Sequence, residues 1–212
     1  MSAAFILASL VSFSQSDKYT KAMEQLVPAV DTTKNADAMA GLANSFQRIA
    51  EAEKTQWLPF YYAAYCNVTS AYLTSMGQMG MADKTDPLAD KSEALLNKAE
   101  ELSKNNSEIY IVKKMIATLR LMGDPMNRYM TYGPAAAEAL AAAKKANPEN
   151  PRAFLLEGQD KFYTPEEYGG SKVEGKKLFE EALKKFDAFK PESPIHPTWG
   201  KMQTQYFLTQ AQ

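Results

Sequence analysis

Three closely spaced methionines have the clearest potential for metal chemistry in this sequence. Met76, Met79 and Met81 lie in a glycine-containing segment between two helix-like stretches. Thioether sulfurs are soft ligands that suit Cu(I), and a flexible loop could bring several of them together. Methionine is also common elsewhere, with 11 residues in the chain, and it is an adaptable packing residue. We therefore predict no metal site and keep Cu(I) binding by this loop as an alternative.

The residue types that most often carry catalysis are scarce. His196 is the single histidine, and no second histidine or cysteine stands near it at zinc-ligand spacing. Cys66, the single cysteine, lies in an almost uniformly apolar stretch, which predicts a buried and unreactive thiol. The adjacent Glu166 and Glu167 have no evident carboxylate partner, and no serine nucleophile motif is present. The sequence therefore predicts a non-enzymatic protein with no catalytic residues.

Aromatic residues indicate a binding surface more strongly. Trp57, Tyr61 and Tyr65 recur every four residues and therefore share one face of a helix. Large aromatic side chains are frequent anchors of protein interfaces. Arg152 and Gln159 occupy the corresponding face of a later predicted helix. We predict that these five residues contact a protein or peptide partner; the alternative is that the aromatic rings belong to the core.

Composition restricts both the fold class and the kind of partner. The 212-residue chain has 45% hydrophobic residues, enough for the core of one domain of ordinary size. Alanine, leucine, lysine and glutamate are abundant and alternating strand-like runs are hard to find, so we expect an all-α protein. The 24 basic and 25 acidic residues are mixed, and no basic stripe indicates a nucleic-acid partner.

The first residues differ from the rest of the chain and resemble a secretory signal peptide. The apolar run 3–11 is too short to span a bilayer of about 30 Å, and small residues follow it before polar Gln15. No lysine or arginine precedes this run, and an apolar first helix is the alternative. We predict a signal peptide at 1–14, a mature domain at 15–212, no stable membrane span, and a periplasmic or secreted location.

Start and stop signals predict nine helices with short or moderate connections, as expected for one continuous domain. The predicted ranges are 17–30, 36–54, 57–75, 88–104, 108–122, 134–146, 152–162, 172–189 and 199–210. The third helix is the most hydrophobic and is expected to lie centrally. Proline and glycine place the longest connections at 76–87 and 123–133.

A spacing recurs within these helices and indicates a repeat. A large apolar residue is followed three places later by alanine at Leu96/Ala99, Leu140/Ala143 and Phe179/Ala182. Small residues let neighbouring helices approach closely, so these positions predict tight contacts between successive helices. Phe154 and Gly158 form a further pair, with the aromatic and the small residue four places apart.

With these spacings the chain resembles a degenerate tetratricopeptide-repeat protein of the exported bacterial kind. Phe154 and Gly158 match the aromatic and small positions of a first repeat helix, and Ala143 before Pro148 resembles a second helix and its following turn. The repeats are longer than the usual length of about 34 residues. The resemblance implies stacked antiparallel helical hairpins that form a short right-handed solenoid, an architecture that commonly binds other proteins.

These features together predict a non-enzymatic scaffold or adaptor of the bacterial envelope that docks a peptide or protein on its repeat helices. The prediction includes no cofactor. The alternative is a small-molecule- or metal-binding accessory protein that uses a pocket between hairpins or the Met76/Met79/Met81 loop. A large apolar pocket with convergent polar groups would favour that alternative.

Overall fold

The structure is a computed structural model that describes the backbone of residues 6–211 and the side chains of residues 17–211. Over this range the chain forms nine α-helices and no strand, which confirms the predicted all-α class. The helices are α1 (Ile6–Thr32), α2 (Ala36–Ala52), α3 (Trp57–Ser75), α4 (Ala82–Leu102), α5 (Ser107–Gly123), α6 (Pro125–Ala146), α7 (Pro151–Tyr163), α8 (Lys172–Ala188) and α9 (Lys201–Gln210). A 3-10 turn, Glu166–Tyr168, lies between α7 and α8.

The predicted signal peptide falls largely outside this description. Its residues 1–5 lie outside the described residues, and 6–14 are described only as backbone at the start of α1. The signal peptide and the domain boundary after residue 14 therefore stay predictions. Within the described part of the chain, no helix combines the length and the apolar character that crossing a bilayer requires.

Helix α3 lies at the centre of the molecule, as its composition predicts. Its side chains from Leu58 to Ala71 are buried almost all the way round the helix. Helices α2, α4 and α5 all pack against it. Because neighbours cover several sides of α3, the helix has no need of a polar face.

Small residues bring neighbouring helices close together, also as predicted. Ala99, Ala143 and Ala182 are fully buried. Gly158 of α7 lies so near Phe179 of α8 that an added Cβ would be 2.6 Å from a ring carbon. Most helices that are consecutive in the chain pack closely against one another. The close approach is thus confirmed, whereas the right-handed tetratricopeptide-like solenoid stays a prediction.

Helix α1 begins at Ile6 rather than at residue 17, and two later helices that contain a proline also begin earlier than the sequence predicts. Helix α4 begins at Ala82 and includes Pro87, and α6 begins at Pro125 and includes Pro134. The second of the long predicted connections is therefore mostly helix. The side chain of Asp124 caps α6, and a proline at the first helical position loses no hydrogen bond that the helix could have made.

An ion pair holds this early part of α6 against α4. Arg128 donates from its two terminal nitrogens to the two carboxylate oxygens of Asp86, at 2.8 and 2.6 Å. These hydrogen bonds lower the pKa of the Asp86 carboxyl below its usual value, which keeps the pair ionised. The partners are 42 residues apart, so no local sequence pattern reports the contact that stabilises this stretch of helix.

The packing is interrupted at one place. Helix α6 packs extensively on α5, and α7 packs extensively on α8, but α6 and α7 touch only sparsely. A groove therefore opens between the α5–α6 pair and α7. On another side of α7, the non-helical segment 189–200 is held by hydrogen bonds from Tyr62 to the Ile195 carbonyl and from Arg152 to the Pro197 carbonyl.

Candidate functional site

The predicted aromatic face lies inside the molecule. Tyr61 is fully buried, Tyr65 is buried and Trp57 is half-buried. The Tyr61 ring stacks 6.4 Å from the Tyr65 ring and meets the Trp57 ring edge-on at 5.6 Å. Burial raises the pKa of the Tyr61 hydroxyl well above its usual value, so this group stays neutral as it accepts a hydrogen bond from Trp199. The rings therefore belong to the core, which was the alternative interpretation.

Arg152 is also an interior side chain, with no surface exposed. Its Nη1 lies 3.0 Å from Oε1 of Glu108, and its Nη2 donates to the Pro197 carbonyl at 2.6 Å. Three aromatic rings lie 5.0 to 5.6 Å from its guanidinium carbon: Phe186, Phe189 and Trp199. The charge is thus paired and packed within the protein. Gln159, further along the same helix, is half-buried.

The methionine loop lies on the surface. Met76 and Met79 are 84% and 68% exposed, and Met81 is half-buried. The N–H of Gly80 donates to the Met122 carbonyl at 2.9 Å, which attaches the loop to the end of α5. Among the described residues, no group of three His, Cys, Asp or Glu side chains could hold a metal ion. Cu(I) binding by the methionines stays an untested alternative.

The single histidine and the single cysteine both have structural surroundings. The Ser193 hydroxyl lies 2.8 Å from Nδ1 of His196, and a carboxylate oxygen of Glu192 lies 3.3 Å from Nε2. Cys66 is fully buried in α3. Burial raises the pKa of its thiol well above the usual value, so the thiol stays protonated. The predicted burial of the cysteine is confirmed, and its lack of reactivity stays a prediction.

A groove of about 410 Å³ between α5, α6 and α7 is the candidate binding site. Three helices from two parts of the chain supply its walls, so its shape depends on tertiary packing. A more open depression of about 610 Å³ lies beside α1 and is lined by side chains of that helix alone: Asp17, Lys18, Lys21, Ala22 and Gln25. A depression on one helix is an ordinary surface feature, whereas small molecules usually bind in clefts between elements.

Helix α6 gives the groove a smooth apolar wall. Gly133, Ala137 and Ala141 line the groove at four-residue intervals and so form one row along the helix. Ala136 and Leu140 lie beside this row and are buried, whereas Ala137 and Ala141 are exposed. Small apolar side chains at these exposed positions leave a flat surface that a planar apolar ligand can contact.

Two ion pairs join the walls of the groove. Lys144 of α6 contacts Glu157 of α7, and Nζ of Lys114 in α5 lies 2.6 Å from Oδ1 of Asp160 in α7. Lys144, Glu157 and Asp160 all line the groove. The site thus combines an apolar wall with charged groups on the opposite helix. This arrangement suits a ligand with an apolar face and a charged edge.

Tyr72 of α3 lies beside the groove residue Thr118 and within reach of the charge of Asp160. Its hydroxyl donates to the Met115 carbonyl at 2.8 Å. Burial raises the pKa of this hydroxyl far above its usual value, and the negative charge of Asp160 raises it further. The phenol therefore stays protonated and is not available as a phenolate ligand for a metal.

Sequence reasoning did not identify this groove, and none of the five predicted contact residues lines it. A signal for it does exist. Seven of the nine residues from 135 to 143 are alanine, so this helix has small side chains on its outer face as well as its inner face. The gap beside that face arises from the relative positions of α6 and α7, which the local sequence does not specify.

Comparison with known proteins identifies an informative relative. No protein-family model matches the chain, and no curated protein matches it. Among solved structures, the HusA haemophore from Porphyromonas gingivalis is 34% identical to the chain, with a TM-score of 0.80. The alignment covers 92% of this chain and 92% of HusA.

This relative corrects the predicted function and partner. It is described as a haemophore, so the predictions of a protein-docking scaffold and of a protein or peptide partner are wrong. The burial of Tyr61, Tyr65 and Arg152 gives the physical reason, because side chains within the core offer no surface to a docked chain. The alternative of a small-molecule-binding accessory protein agrees better. With 34% identity over nearly the full length of both chains, the protein belongs to the same family as the HusA haemophore.

Proposed function

We propose that this protein binds haem in the groove between α5, α6 and α7. The observation that carries the proposal is the similarity to a haemophore over 92% of both chains. Haem is a planar ring, apolar on both faces, with two carboxylates on one edge. The groove offers matching chemistry, because α6 contributes a row of small apolar residues and Lys144 lines the groove, while the buried Lys114 contacts the lining residue Asp160.

The size of the groove supports the same proposal. Its volume of about 410 Å³ lies within the range of about 300–1,000 Å³ typical of sites for small molecules and cofactors. The groove is open along one side, so part of the ring would remain accessible. An accessible ring suits a protein that passes its ligand on rather than keeping it as a permanent cofactor.

The lining of the groove favours recognition of the porphyrin ring rather than of its iron. None of the residues that line it is a histidine, cysteine, methionine or tyrosine. The nearby Tyr72 keeps its proton and donates it to a backbone carbonyl. We therefore expect the metal-free porphyrin to bind with an affinity within about tenfold of that of haem, a difference of roughly 1.4 kcal/mol.

A substitution on the apolar wall tests the location of the site. Ala137→Glu places a charge in the middle of the row, whereas Ala146→Glu places the same charge at the exposed end of α6, away from the groove. We expect the first variant to weaken haem and porphyrin binding by at least about tenfold, since it would bury an unpaired carboxylate against the ring. The second should bind like the original protein.

Titration of each variant with haem, followed by absorbance and by quenching of tryptophan fluorescence, measures these affinities. Circular dichroism checks that both variants keep their helical content. Equal binding by the two variants would move the site away from the groove. A complete lack of haem and porphyrin binding by the original protein would contradict the proposed function itself.

The arrangement of the helices, the export of the protein and its lack of catalytic activity are further proposals that are compatible with this function. We infer that the helical pairs are arranged as a short tetratricopeptide-like solenoid, supported by the buried Ala99, Ala143 and Ala182. We further propose that the protein is exported after removal of residues 1–14 and acts as a binding protein without catalytic activity. Mass spectrometry of the protein purified from its native host would identify the mature amino terminus.

A further inference from the structure

Lys144, which lines the groove, and Lys114, which is buried beside it, are each already paired with a carboxylate. Lys114 pairs with Asp160, and Lys144 pairs with Glu157. Both carboxylates belong to α7, whereas the lysines come from α5 and α6. The acids are three residues apart on α7, about 4.5 Å along the helix axis, so the two pairs lie one beside the other. The two carboxylates of haem also lie side by side, on one edge of the ring.

In the Lys114–Asp160 pair, the lysine needs its partner more than the carboxylate does, because the two side chains differ in exposure to water. The Lys114 side chain is 3% exposed, whereas the Asp160 side chain is 44% exposed. A buried ammonium group requires an anion, because leaving it unpaired carries a large desolvation penalty. An exposed carboxylate does not require the lysine, since water can solvate it. Asp160 is therefore the partner that another anion can replace.

The second pair also joins a lysine of another helix to a carboxylate of α7, but its two side chains are almost equally exposed. The side chains of Lys144 and Glu157 are 31% and 30% exposed, so both retain access to water. Lys144 also lies 4.8 Å from the centre of the Phe154 ring, which helps to keep its ammonium group beside α7 when Glu157 moves away. An incoming carboxylate at this position would find a cation held in place.

We propose that the two carboxylates of the porphyrin replace Asp160 and Glu157 as the partners of Lys114 and Lys144. This inference rests on the proposed haem-binding function and adds to it the basis of selectivity. The groove selects porphyrins with free carboxylates over esterified ones. Asp160 and Glu157 compete with the ligand, hold the lysines in the free protein, and set the affinity at a level from which the ligand can be released.

The test compares protoporphyrin IX, a diacid, with its dimethyl ester, which has the same ring and no charge at that edge. We expect the original protein to bind the diacid at least about tenfold more tightly than the ester. Glu157→Gln and Asp160→Asn should each raise affinity for the diacid by about three- to tenfold, because each removes a competing anion, and should leave affinity for the ester unchanged.

A lysine variant with a matched control completes the experiment. Lys144→Gln should lower affinity for the diacid by about tenfold. Lys145→Gln changes an exposed neighbour on the same helix that does not line the groove, and it should have no effect. Asp160→Asn probes Lys114 while keeping the buried ammonium group. Should that variant fail to fold, Glu157→Gln, at a partly exposed pair, still tests the exchange.

The outcomes separate this inference from the proposed function. Loss of binding of both the diacid and the ester by the original protein would contradict haem binding altogether. Equal binding of the two porphyrins, with Lys144→Gln behaving like Lys145→Gln, would retain porphyrin binding and overturn the exchange. Weaker diacid binding by Glu157→Gln would overturn it as well, since the acid would then assist the ligand rather than compete with it.

Discussion

Arg152 is the residue on which the internal polar contacts converge. It joins Glu108 of α5 to the Pro197 carbonyl of the segment 189–200, and aromatic rings cover its guanidinium group. A buried charge of this kind is strongly destabilising only when its partner is removed. Arg152 therefore connects α5, α7 and the segment before α9, and its role is to stabilise the fold.

Substitution of Arg152 by methionine should make this role measurable. The variant keeps an apolar stem but leaves Glu108, whose side chain is 14% exposed, without a cationic partner. We expect the free energy of unfolding to fall by about 3–5 kcal/mol. Urea denaturation followed by circular dichroism measures the change.

An exposed ion pair provides the control for this substitution. Lys201 pairs with Asp187, and their side chains are 45% and 61% exposed. Lys201→Met should change the free energy of unfolding by at most about 1 kcal/mol, since solvent screens such pairs. Equal losses in the two variants would show that burial of Arg152 adds nothing to stability.

For single residues, sequence patterns predict which side chains share a helix face better than they predict whether that face is buried or exposed. The four-residue interval of Trp57, Tyr61 and Tyr65 correctly places them on one face of α3. It does not tell whether that face meets solvent or another helix, because the periodicity is the same in both cases. The burial of Cys66 was predictable because the residues around it are almost all apolar.

At the scale of helices, Gly158 sets the distance between α7 and α8. Gly158→Ala would place a methyl carbon 2.6 Å from the Phe179 ring, so the ring or the helix must move. Overpacking of this kind typically costs about 1–3 kcal/mol of unfolding free energy. Chemical denaturation of the variant measures the loss.

Gly41 of α2 is the matched control, because an added Cβ there meets nothing within 4 Å. Gly41→Ala should raise the free energy of unfolding by roughly 0.5–1 kcal/mol, since alanine favours the helix without a clash. The two identical chemical changes should thus have opposite signs. A destabilised Gly41→Ala variant, or an unaffected Gly158→Ala variant, would contradict this account of the packing.

Helix existence was easier to predict than helix boundaries. Proline residues were interpreted as breaks, yet Pro87 and Pro134 lie within α4 and α6. An interior proline costs the helix about 3 kcal/mol or more, but packing against neighbouring helices can offset that amount. The Arg128–Asp86 pair and the packing of α6 along α5 provide such contacts, and these depend on residues distant in sequence.

At the scale of the whole molecule, several tyrosines are stabilised in their neutral form. Burial raises the pKa of Tyr19 to about 12 and raises that of Tyr61, Tyr62 and Tyr65 as well. A raised pKa in the folded state means that stability is fully present below the unfolded pKa of about 10. It is lost as the pH rises from there toward and beyond 12.

An alkaline titration tests this expectation. Tyrosinate absorbance should rise in two phases: a first near the ordinary tyrosine pKa of about 10, and a second in which the buried tyrosines ionise only together with loss of helical circular dichroism. One single phase near pH 10 with the helical signal intact would contradict the burial of these rings.

The groove shows why a binding site is harder to predict than a core. Apolar periodicity reports which positions pack, and the high apolar content of α3 correctly predicted its central place. The groove exists because α6 and α7 pack sparsely. A sequence motif can indicate that two helices pack together, but none indicates that they stay apart. In the sequence, the charged residues of the site look like ordinary surface residues of helices. Only the fold brings together Lys114, Lys144, Glu157 and Asp160.

The segment 189–200 has a consequence for how the chain acquires its structure. Trp199 donates a hydrogen bond to the Tyr61 hydroxyl across a sequence separation of 138 residues. Tyr62 donates one to the Ile195 carbonyl across 133 residues. Contacts this distant in sequence form late and slow the search for the native state. The central helix cannot complete its surroundings until almost the entire polypeptide has been synthesised. A chain terminated before Ile195 is therefore expected to remain incompletely folded throughout, rather than to form a shorter but otherwise intact protein.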